Sequence, residues 1–297
     1  MIGLGRMGAN MTLRLLRGGH QVVGFDSNAE ARQRVEQHGA QSATSLDALV
    51  RKLKPPRTLW MMVPAGTATD ETVTALLDLL QTGDTMVDGG NSNYKSTQLR
   101  SQRCAEKQLN YLDCGTSGGI WGLTEGYSMT IGGEASVVAR LRPIFETLAP
   151  APDRGWGHVG PSGAGHFTKM IHNGIEYGLM QAYAEGFSII EHKSEFALDL
   201  HQVAEIWRHG SVVRSWLLDL TANALQSNPH LEGIAPHVGD SGEGRWAVAE
   251  AIDLNVPAPA ITLALLARIA SRDPDSFAAR MLAAMRNQFG GHEIKKQ

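Results

Sequence analysis

Short apolar runs alternate with helix-like stretches through the first half of the chain. Buried strands are predicted over residues 21–26, 58–63, 84–88, 110–113 and 127–131. Between them, apolar positions recur at helical spacing over residues 7–17, 28–38, 69–80, 92–107 and 134–148. This alternation is typical of a mostly parallel sheet with helices on both faces.

The pattern changes near residue 160, after which helical periodicity dominates. Helices are predicted over residues 165–192, 199–209, 215–227, 242–254, 257–271 and 275–288. In the first of these, the spacing of core positions is shared by Met170, Ile171, Ile175, Leu179 and Ala182. We therefore expect two domains, an α/β domain over residues 1–160 and an all-α domain over residues 161–297.

Composition and charge exclude several classes of protein. The 297 residues include 27 Lys and Arg against 30 Asp and Glu, a net charge of −3, which leaves no basic surface for nucleic acid or for an anionic membrane. The longest apolar stretch, residues 258–267, is too short to span a bilayer, and no targeting segment is visible. Two cysteines, Cys104 and Cys114, fit a reducing compartment, so a cytoplasmic location is expected.

A glycine-rich loop opens the chain. The sequence Gly3-Leu4-Gly5-Arg6-Met7-Gly8 is the G-x-G-x-x-G pattern that follows the first strand of a Rossmann-like domain and holds a dinucleotide pyrophosphate at a helix N-terminus. Asp26 ends the next predicted strand, 18 residues after Gly8, where a carboxylate accepts hydrogen bonds from the adenosine ribose. Because an aspartate there repels a 2′-phosphate, NAD is favoured over NADP.

The first strand presents a difficulty. Only Met1 and Ile2 precede Gly3, whereas a strand at the middle of such a sheet spans about five residues. We expect either an abnormally short first strand or a few natural residues missing before Met1.

The predicted helix over residues 165–192 carries one face of polar and ionisable side chains that could take part in catalysis. Lys169, His172, Asn173, Glu176 and Tyr177 fall within roughly 140° of arc at 100° per residue. Lys169 and Glu176 are about 10 Å apart along the axis, too far for the usual helical ion pair but suited to two carbons of one bound molecule. The alternative is a solvated polar face. A metal site at His172 and Glu176 is disfavoured, because no third ligand stands out, and no metal is expected.

Two further loops lie after predicted strands, where open α/β sheets bind ligands. The Ser117-Gly118-Gly119 loop offers a hydroxyl and backbone N–H groups to a carboxylate or polyol, or it is an ordinary turn. In Asp88-Gly89-Gly90-Asn91-Ser92, Asn91 is a candidate both for capping the next helix and for contacting ligand, and the two roles are compatible.

Taken together, these motifs resemble the decarboxylating 6-phosphogluconate dehydrogenases, in the short-chain bacterial form that prefers NAD. The resemblance covers nearly the whole chain, and the helix motif and the C-terminal tail are its most specific parts. The matching segments are the Gly3–Gly8 loop, Val63-Pro64-Ala65-Gly66, Asp88-Gly89-Gly90-Asn91-Ser92, Ser117-Gly118-Gly119, the Lys169–Tyr177 helix, Ile206-Trp207, Arg214-Ser215-Trp216-Leu217, Gly242-Glu243-Gly244-Arg245-Trp246 and Arg286-Asn287-Gln288-Phe289-Gly290-Gly291-His292.

The resemblance implies oxidative decarboxylation of 6-phosphogluconate to ribulose 5-phosphate and CO2, a step of the pentose phosphate pathway and of gluconate metabolism. It makes Lys169 the general base and Glu176 the general acid, which requires a lowered pKa for the lysine and a raised pKa for the glutamate. His172 and Asn173 orient the substrate, and the 63–65 loop and Asn91 contact the cofactor.

Substrate contacts and assembly are also implied by the resemblance. Asn91, Ser117, Gly118, Gly119, His172 and Asn173 bind the sugar acid, and Tyr177, Arg245, Arg286 and His292 bind its phosphate. Arg245 stands where longer members carry Lys, and a further phosphate-binding arginine is either Arg268 or Arg272. Because the family's tail residues reach the neighbouring subunit's site, a homodimer or a higher assembly is implied.

Two other functions remain open. One is a related β-hydroxyacid dehydrogenase of the 3-hydroxyisobutyrate type, which shares the glycine loop, the Ser-Gly-Gly loop and the Lys/Asn helix. The other is a nonenzymatic NAD-responsive regulator that has kept the fold. His172, Glu176, Arg245 and the 286–292 tail favour the phosphorylated substrate over the first, and the Lys169/Glu176 pair argues against the second.

Overall fold

The computed structural model describes residues 1–295 and divides into two compact units, Met1–Asn173 and Gly174–Gln297. The boundary near residue 160 stays a prediction, since the division falls inside one continuous helix. The strands are β1 (Val23–Phe25), β2 (Gln41–Ala43), β3 (Thr58–Met61), β4 (Thr85–Asp88), β5 (Asn110–Ser117), β6 (Ser128–Gly132) and β7 (Trp156–Gly160).

Most helices follow the predicted pattern with shifts of a few residues at their ends, whereas the short helices over residues 46–51 and 122–125 were not predicted. They are α1 (Arg6–Arg17), α2 (Ala29–Glu36), α3 (Leu46–Arg51), α4 (Thr67–Leu77), α5 (Tyr94–Glu106), α6 (Gly122–Glu125), α7 (Ala135–Leu148), α8 (Ala164–His192), α9 (Leu200–Arg208), α10 (Trp216–Ser227), α11 (Glu243–Asp253), α12 (Pro259–Ala270) and α13 (Phe277–Gly290).

The first unit is the predicted α/β fold, with a sheet that is parallel except at one pair. Strands β3, β4 and β5 pair in parallel in that order, β6 joins β5 antiparallel, and β7 pairs with β6 in parallel. Strand β1 pairs with β2, and Ile2 bridges Phe25 of β1 and Met61 of β3. The first strand is thus extremely short: the backbone of residues 1–3 links the two parts of the sheet, with Met1 and Gly3 hydrogen-bonded to Phe25, and Ile2 hydrogen-bonded to Trp60 and Met62.

The sheet is buried on both faces because its residues alternate between two apolar clusters. On β5, Leu112 belongs to the cluster with α1 and α7, and its neighbour Tyr111 belongs to the cluster with α3, α4 and α5. The free thiols of Cys114 and Cys104 lie in these two clusters, and burial raises the pKa of each to about 12.

The second unit is helical, as predicted, with small cores. Phe187, Leu200, Leu218 and Leu225 form one apolar cluster of buried side chains. The core positions expected for Ile175, Leu179 and Ala182 were wrong: the side chains of Ile175 and Leu179 are 52% and 44% exposed, and Ala182 is exposed too. Periodicity identified an apolar stripe on α8, but within this chain those three residues are not covered.

Helix α8 starts against the backbone of the sheet, which requires three glycines. A Cβ on Gly115 of β5 would lie 2.4 Å from the Cβ of Lys169 and 2.7 Å from the carbonyl oxygen of Gly165. A Cβ on Gly165 would lie 2.5 Å from the carbonyl oxygen of Thr130, and Gly132 is equally crowded. Side chains at these positions would push the helix away from the sheet.

We expect Gly115→Ala to lower the free energy of unfolding by about 1–3 kcal/mol, because the added methyl group overpacks a backbone contact. Urea unfolding followed by circular dichroism measures the change. Gly178→Ala on the same helix is the matched control, since its Cβ would meet no atom within 4 Å and should gain up to about 1 kcal/mol from helix propensity. Equal stability of Gly115→Ala and wild type would contradict the close contact.

Candidate active site

The glycine loop has the geometry of a dinucleotide cradle. Gly3 has a positive φ of +87°, and a Cβ on Gly8 would lie 2.0 Å from the carbonyl oxygen of Gly3. Both glycines are therefore required by the protein's own packing. A Cβ on Gly5, in contrast, would meet no protein atom within 4 Å. Gly5 is the N-cap of α1 and leaves open space at the helix N-terminus, which suits the close approach of a pyrophosphate.

Asp26 lies beside this loop, as predicted. Its carboxylate accepts hydrogen bonds from the backbone N–H of Leu4 at 2.7 Å and of Asn28 at 2.8 Å. Arg32 donates to the carbonyl oxygen of Asp26 at 2.7 Å and so fixes the turn after β1. The half-buried carboxylate is oriented at the end of β1, the place at which a ribose diol would be bound.

The loop after β3 lies against the glycine loop, and the loop after β4 lies against the loop after β3. A Cβ on Gly3 would lie 2.5 Å from the carbonyl oxygen of Met62 and 3.3 Å from Val63, and a Cβ on Gly90 would lie 3.2 Å from the carbonyl oxygen of Val63. Pro64, Ala65 and Asn91 are exposed. The capping role considered for Asn91 was wrong, because Asn93 is the N-cap of α5 and accepts from the N–H of Lys95.

A buried polar cluster supports the β4 loop. The Asp88 carboxylate accepts hydrogen bonds from Ser92 at 2.8 Å, Tyr111 at 2.9 Å and Arg100 at 3.4 Å. Burial and the charge of Asp88 hold the pKa of Tyr111 well above its usual value, so the phenol stays a donor. Burial opposes the charge of Arg100, but the hydrogen bond to Asp70 and the nearby carboxylates raise its pKa. Sequence reasoning missed Arg100, which sits in a helix rich in polar residues and gives no distinguishing signal.

Helix α8 is fixed at its first turn by a second buried carboxylate that sequence reasoning missed. Asp113, fully buried in β5, accepts from the backbone N–H of Gly163 at 2.7 Å and of His166 at 2.9 Å. Thr97 of α5 lies 2.7 Å from Nδ1 of His166, whose Nε2 is buried without a hydrogen-bond partner among residues 1–295. A charged residue inside an apolar strand was the signal available for Asp113.

Lys169, His172 and Asn173 come together on the next turns of α8. The Nζ of Lys169 donates to Oδ1 of Asn173 at 2.7 Å and lies 3.2 Å from Nδ1 of His172, and His172 is 3.0 Å from Asn173. Lys169 and Asn173 are buried, whereas His172 is exposed. This arrangement holds a primary amine in a fixed direction beside an amide and an imidazole, and such a group can exchange a proton with a bound hydroxyl.

Ser117, Gly118 and Gly119 end β5 and turn into a short 3-10 helix. Gly118 and Gly119 have φ values of +130° and +51°, conformations that favour glycine. Ser117 and Gly118 are half-buried, and Gly119 is exposed. The backbone is therefore shaped for a tight turn whose surface is accessible.

In the second unit, three of the predicted arginines surround one carboxylate and one ring. Asp240 accepts from Arg245 at 2.5 Å and from Arg272 at 3.3 Å. Burial opposes the charge of Asp240, but the hydrogen bonds from Arg245 and from the backbone of Gly242, together with the charges of Arg245 and Arg272, keep its pKa below the usual value. The guanidinium of Arg268 lies 3.6 Å from the centroid of the Tyr177 ring. These contacts gather positive charge around Asp240 and Tyr177.

The remaining predicted residues differ in exposure. The Tyr177 hydroxyl is buried without a hydrogen-bond partner within the part of the chain that the structure describes. Glu176 is half-buried, also on α8. Arg286 on α13 and His292 after its end are both exposed, and the His292 ring packs against Phe289 with centroids 6.2 Å apart.

Two features are absent from residues 1–295. No cluster of three or more His, Cys, Asp or Glu side chains has the geometry for a metal ion. No helix in this range has the length and apolarity to cross a membrane.

Comparisons with known proteins agree over both units. A family model described as the NAD binding domain of 6-phosphogluconate dehydrogenase matches residues 1–159, and one described as the 6-phosphogluconate dehydrogenase C-terminal domain matches residues 165–297. A Haloferax volcanii protein named 6-phosphogluconate dehydrogenase, NAD(+)-dependent, decarboxylating, is 43% identical over 298 residues, covering 100% of this chain and 98% of its own length.

Among solved structures, 6-phosphogluconate dehydrogenase of Plasmodium falciparum has a TM-score of 0.84 and 29% identity over 100% of this chain and 65% of its own length. It is described in complex with NADP+ and with 6-phosphogluconate. A 3-hydroxyisobutyrate dehydrogenase of Salmonella typhimurium has a TM-score of 0.76 at 20% identity, over 92% of this chain and 93% of its own length, and shows a shared fold.

The glycine loop generates a paired prediction. We expect Gly5→Ala to leave the thermal unfolding midpoint unchanged but to weaken dinucleotide binding at least about tenfold, since its methyl group occupies only the ligand's space. Gly8→Ala should instead lower the unfolding midpoint, because its methyl group collides with Gly3. Titration calorimetry with NAD and thermal unfolding measure the two effects. Loss of stability in Gly5→Ala would refute the assignment of that open space to a ligand.

Proposed function

The chain belongs to the 6-phosphogluconate dehydrogenase family, and from this premise we propose that it oxidises 6-phosphogluconate with NAD and releases CO2 and ribulose 5-phosphate. The observation that carries the proposal is the cluster of Lys169, His172 and Asn173, in which a buried amine is oriented by its neighbours on one helix. Such a base suits a sugar acid with a free C3 hydroxyl, because it can accept the proton of that hydroxyl.

NAD, when bound, supplies the acceptor for the hydride that leaves C3 of the substrate. The fit of the chain to this cofactor rests on the open space at Gly5 and on the carboxylate of Asp26. Gly3, Leu4, Gly5, Arg6, Met7 and Gly8 would hold the pyrophosphate, and Asp26 the adenosine ribose. Val63, Pro64, Ala65 and Asn91 would line the remainder of the cofactor site.

We infer the order of proton movements from the groups on α8. Lys169 removes the proton of the C3 hydroxyl as the C3–H bond breaks and a ketone forms. The ketone then accepts the electrons of the C1–C2 bond as CO2 leaves, and the protonated lysine assists by donating to the ketone oxygen. Glu176 then donates a proton to C1 of the enediol while the C2 hydroxyl returns its proton to Lys169, which yields the ketone ribulose 5-phosphate.

The substrate's two ends would meet different groups. Asn91, Ser117, Gly118, Gly119, His172 and Asn173 would bind the carboxylate and hydroxyls. Tyr177, Arg245, Arg286, His292 and either Arg268 or Arg272 would bind the phosphate, since guanidinium groups match its geometry. The support is the concentration of three arginines near Asp240 and Tyr177.

NAD is proposed over NADP because of Asp26. Both of its carboxylate oxygens accept backbone N–H groups, which fixes a negative charge where the 2′-phosphate of NADP would lie. An uncompensated negative charge facing a phosphate is unfavourable.

A homodimer is proposed from exposed apolar surface. Helix α13 has no buried residue, and Phe277 and Phe289 on it are 67% and 79% exposed. Large exposed apolar patches mark association sites. Sedimentation equilibrium should give twice the 32.0 kDa chain mass or a higher even multiple, and a monomer at micromolar concentration would refute the dimer.

We propose a cytoplasmic location for the enzyme, and its two free cysteines support this proposal. Fractionation of the source cells checks the location.

The reaction is tested by following NADH absorbance and CO2 release together. With 6-phosphogluconate and NAD we expect the two products in equal amounts, because decarboxylation follows oxidation in the same site. NADP should give at least about tenfold lower kcat/KM. Reduced cofactor without CO2, or a preference for 3-hydroxyisobutyrate, would favour the related β-hydroxyacid dehydrogenase. Comparable rates with NADP would refute the role of Asp26.

Two variants separate the enzyme from a nonenzymatic NAD-responsive regulator. Lys169→Ala should lose about 10²- to 10⁴-fold in turnover while NAD binding survives, since the base does not hold the cofactor. Glu176→Gln should slow product formation by a similar factor. If the wild-type protein binds NAD but turns over none of these substrates, the regulator becomes the better explanation.

A further inference from the structure

The structure assigns to Arg100 a positioning role: its buried guanidinium sets the distance between the two strand-end loops that we propose to hold NAD. Arg100 itself touches neither substrate nor cofactor in this assignment. The inference rests on the proposed cofactor site and adds a buried residue that acts on this site through the loops that form it.

The first contact of Arg100 leads to the loop after β4. Its Nη1 donates to Oγ of Ser92 at 3.0 Å and lies 3.4 Å from Oδ2 of Asp88. Ser92 in turn donates to Asp88 at 2.8 Å, and Asp88 accepts the N–H of Gly90 at 3.2 Å. Gly90 and Ser92, the two neighbours of Asn91, are therefore both tied to one carboxylate, and the loop between them presents the exposed side chain of Asn91.

The second contact leads to the loop after β3. The Nε of Arg100 donates to Asp70 in the first turn of α4 at 2.8 Å. The neighbouring Thr69 donates to the carbonyl oxygen of Pro64 at 2.9 Å and so ties the same turn to the 63–65 loop. One planar guanidinium thus connects the residues that hold both loops. Because its N–H donors point in fixed directions, it sets the distance between the two loops and does not only attract the carboxylates beside them.

The cost of this arrangement argues for a purpose beyond stability. Arg100 is 2% exposed and Asp88 is 1% exposed, and burying an ion pair is often no better for stability than apolar packing. Buried ion pairs do fix geometry, and here the fixed geometry is that of two neighbouring loops, of which the loop after β3 lies against the glycine loop. We therefore expect the network to act on cofactor binding.

The test compares NAD affinity and kinetics in three variants of the full chain. Arg100→Lys keeps the charge but loses the fork, and should raise the Kd and KM for NAD about tenfold with kcat at saturating NAD within about twofold of wild type. Tyr111→Phe removes one donor to Asp88 without changing charge, and should raise the Kd about threefold.

The matched control is Arg103→Lys. Arg103 lies on the same helix and also reaches α4, where it donates to Thr74 at 2.8 Å, but that contact does not involve the β4 loop. Its NAD Kd should stay within about twofold of wild type. Titration calorimetry with NAD gives each Kd, and thermal unfolding accompanies each measurement.

A purely structural role predicts a different result. Arg100→Lys would then lower the unfolding midpoint and kcat together while the KM and Kd for NAD stay unchanged, and this outcome overturns the inference. If both Arg100→Lys and Arg103→Lys weaken NAD equally, the effect belongs to the α4–α5 contact and the inference is again overturned. If Arg100→Lys does not fold, an unchanged Kd in Tyr111→Phe overturns it. Wild-type protein that binds no NAD overturns the proposed function as well.

Discussion

The contact between the start of α8 and the backbone of β5 and β6 is the constraint on which the candidate site depends. Gly115, Gly132 and Gly165 let helix and strands approach more closely than any side chain would permit. The buried Asp113 carboxylate then holds the first turn of the helix by two backbone N–H groups. Together they fix the position from which the Lys169 side chain projects. A base that must accept the proton of one particular hydroxyl needs to be placed with that accuracy.

The sequence predicted most of the elements because the chain follows simple patterning rules. Apolar runs such as 84–88 and 110–113 coincide with β4 and with the start of β5, and each predicted helix is present within a few residues. The elements that were not predicted carry little pattern. Strand β2 is Gln-Ser-Ala, and β7 contains two glycines and exposed side chains. Tertiary pairing, rather than local preference, forms these strands.

The candidate site was predictable where the spacing of residues within a motif determines their positions in space. The glycine loop and Asp26 lie together as expected, and so do Lys169, His172 and Asn173. The supports could not be foreseen, because they are single polar residues that gain meaning only from distant partners: Arg100 meets Asp88 and Asp70 through folding alone. Likewise, the choice between Asn91 and Asn93 as helix cap depends on where α5 begins, the least predictable feature of a helix.

The two buried cysteines have a practical consequence. With a pKa of about 12, both thiols stay protonated throughout the range in which proteins are handled, and neither is accessible to an alkylating reagent. A cysteine introduced on the surface would react with a maleimide dye far faster than either native thiol. The natural chain can thus serve directly as the background for single-site fluorescence labelling.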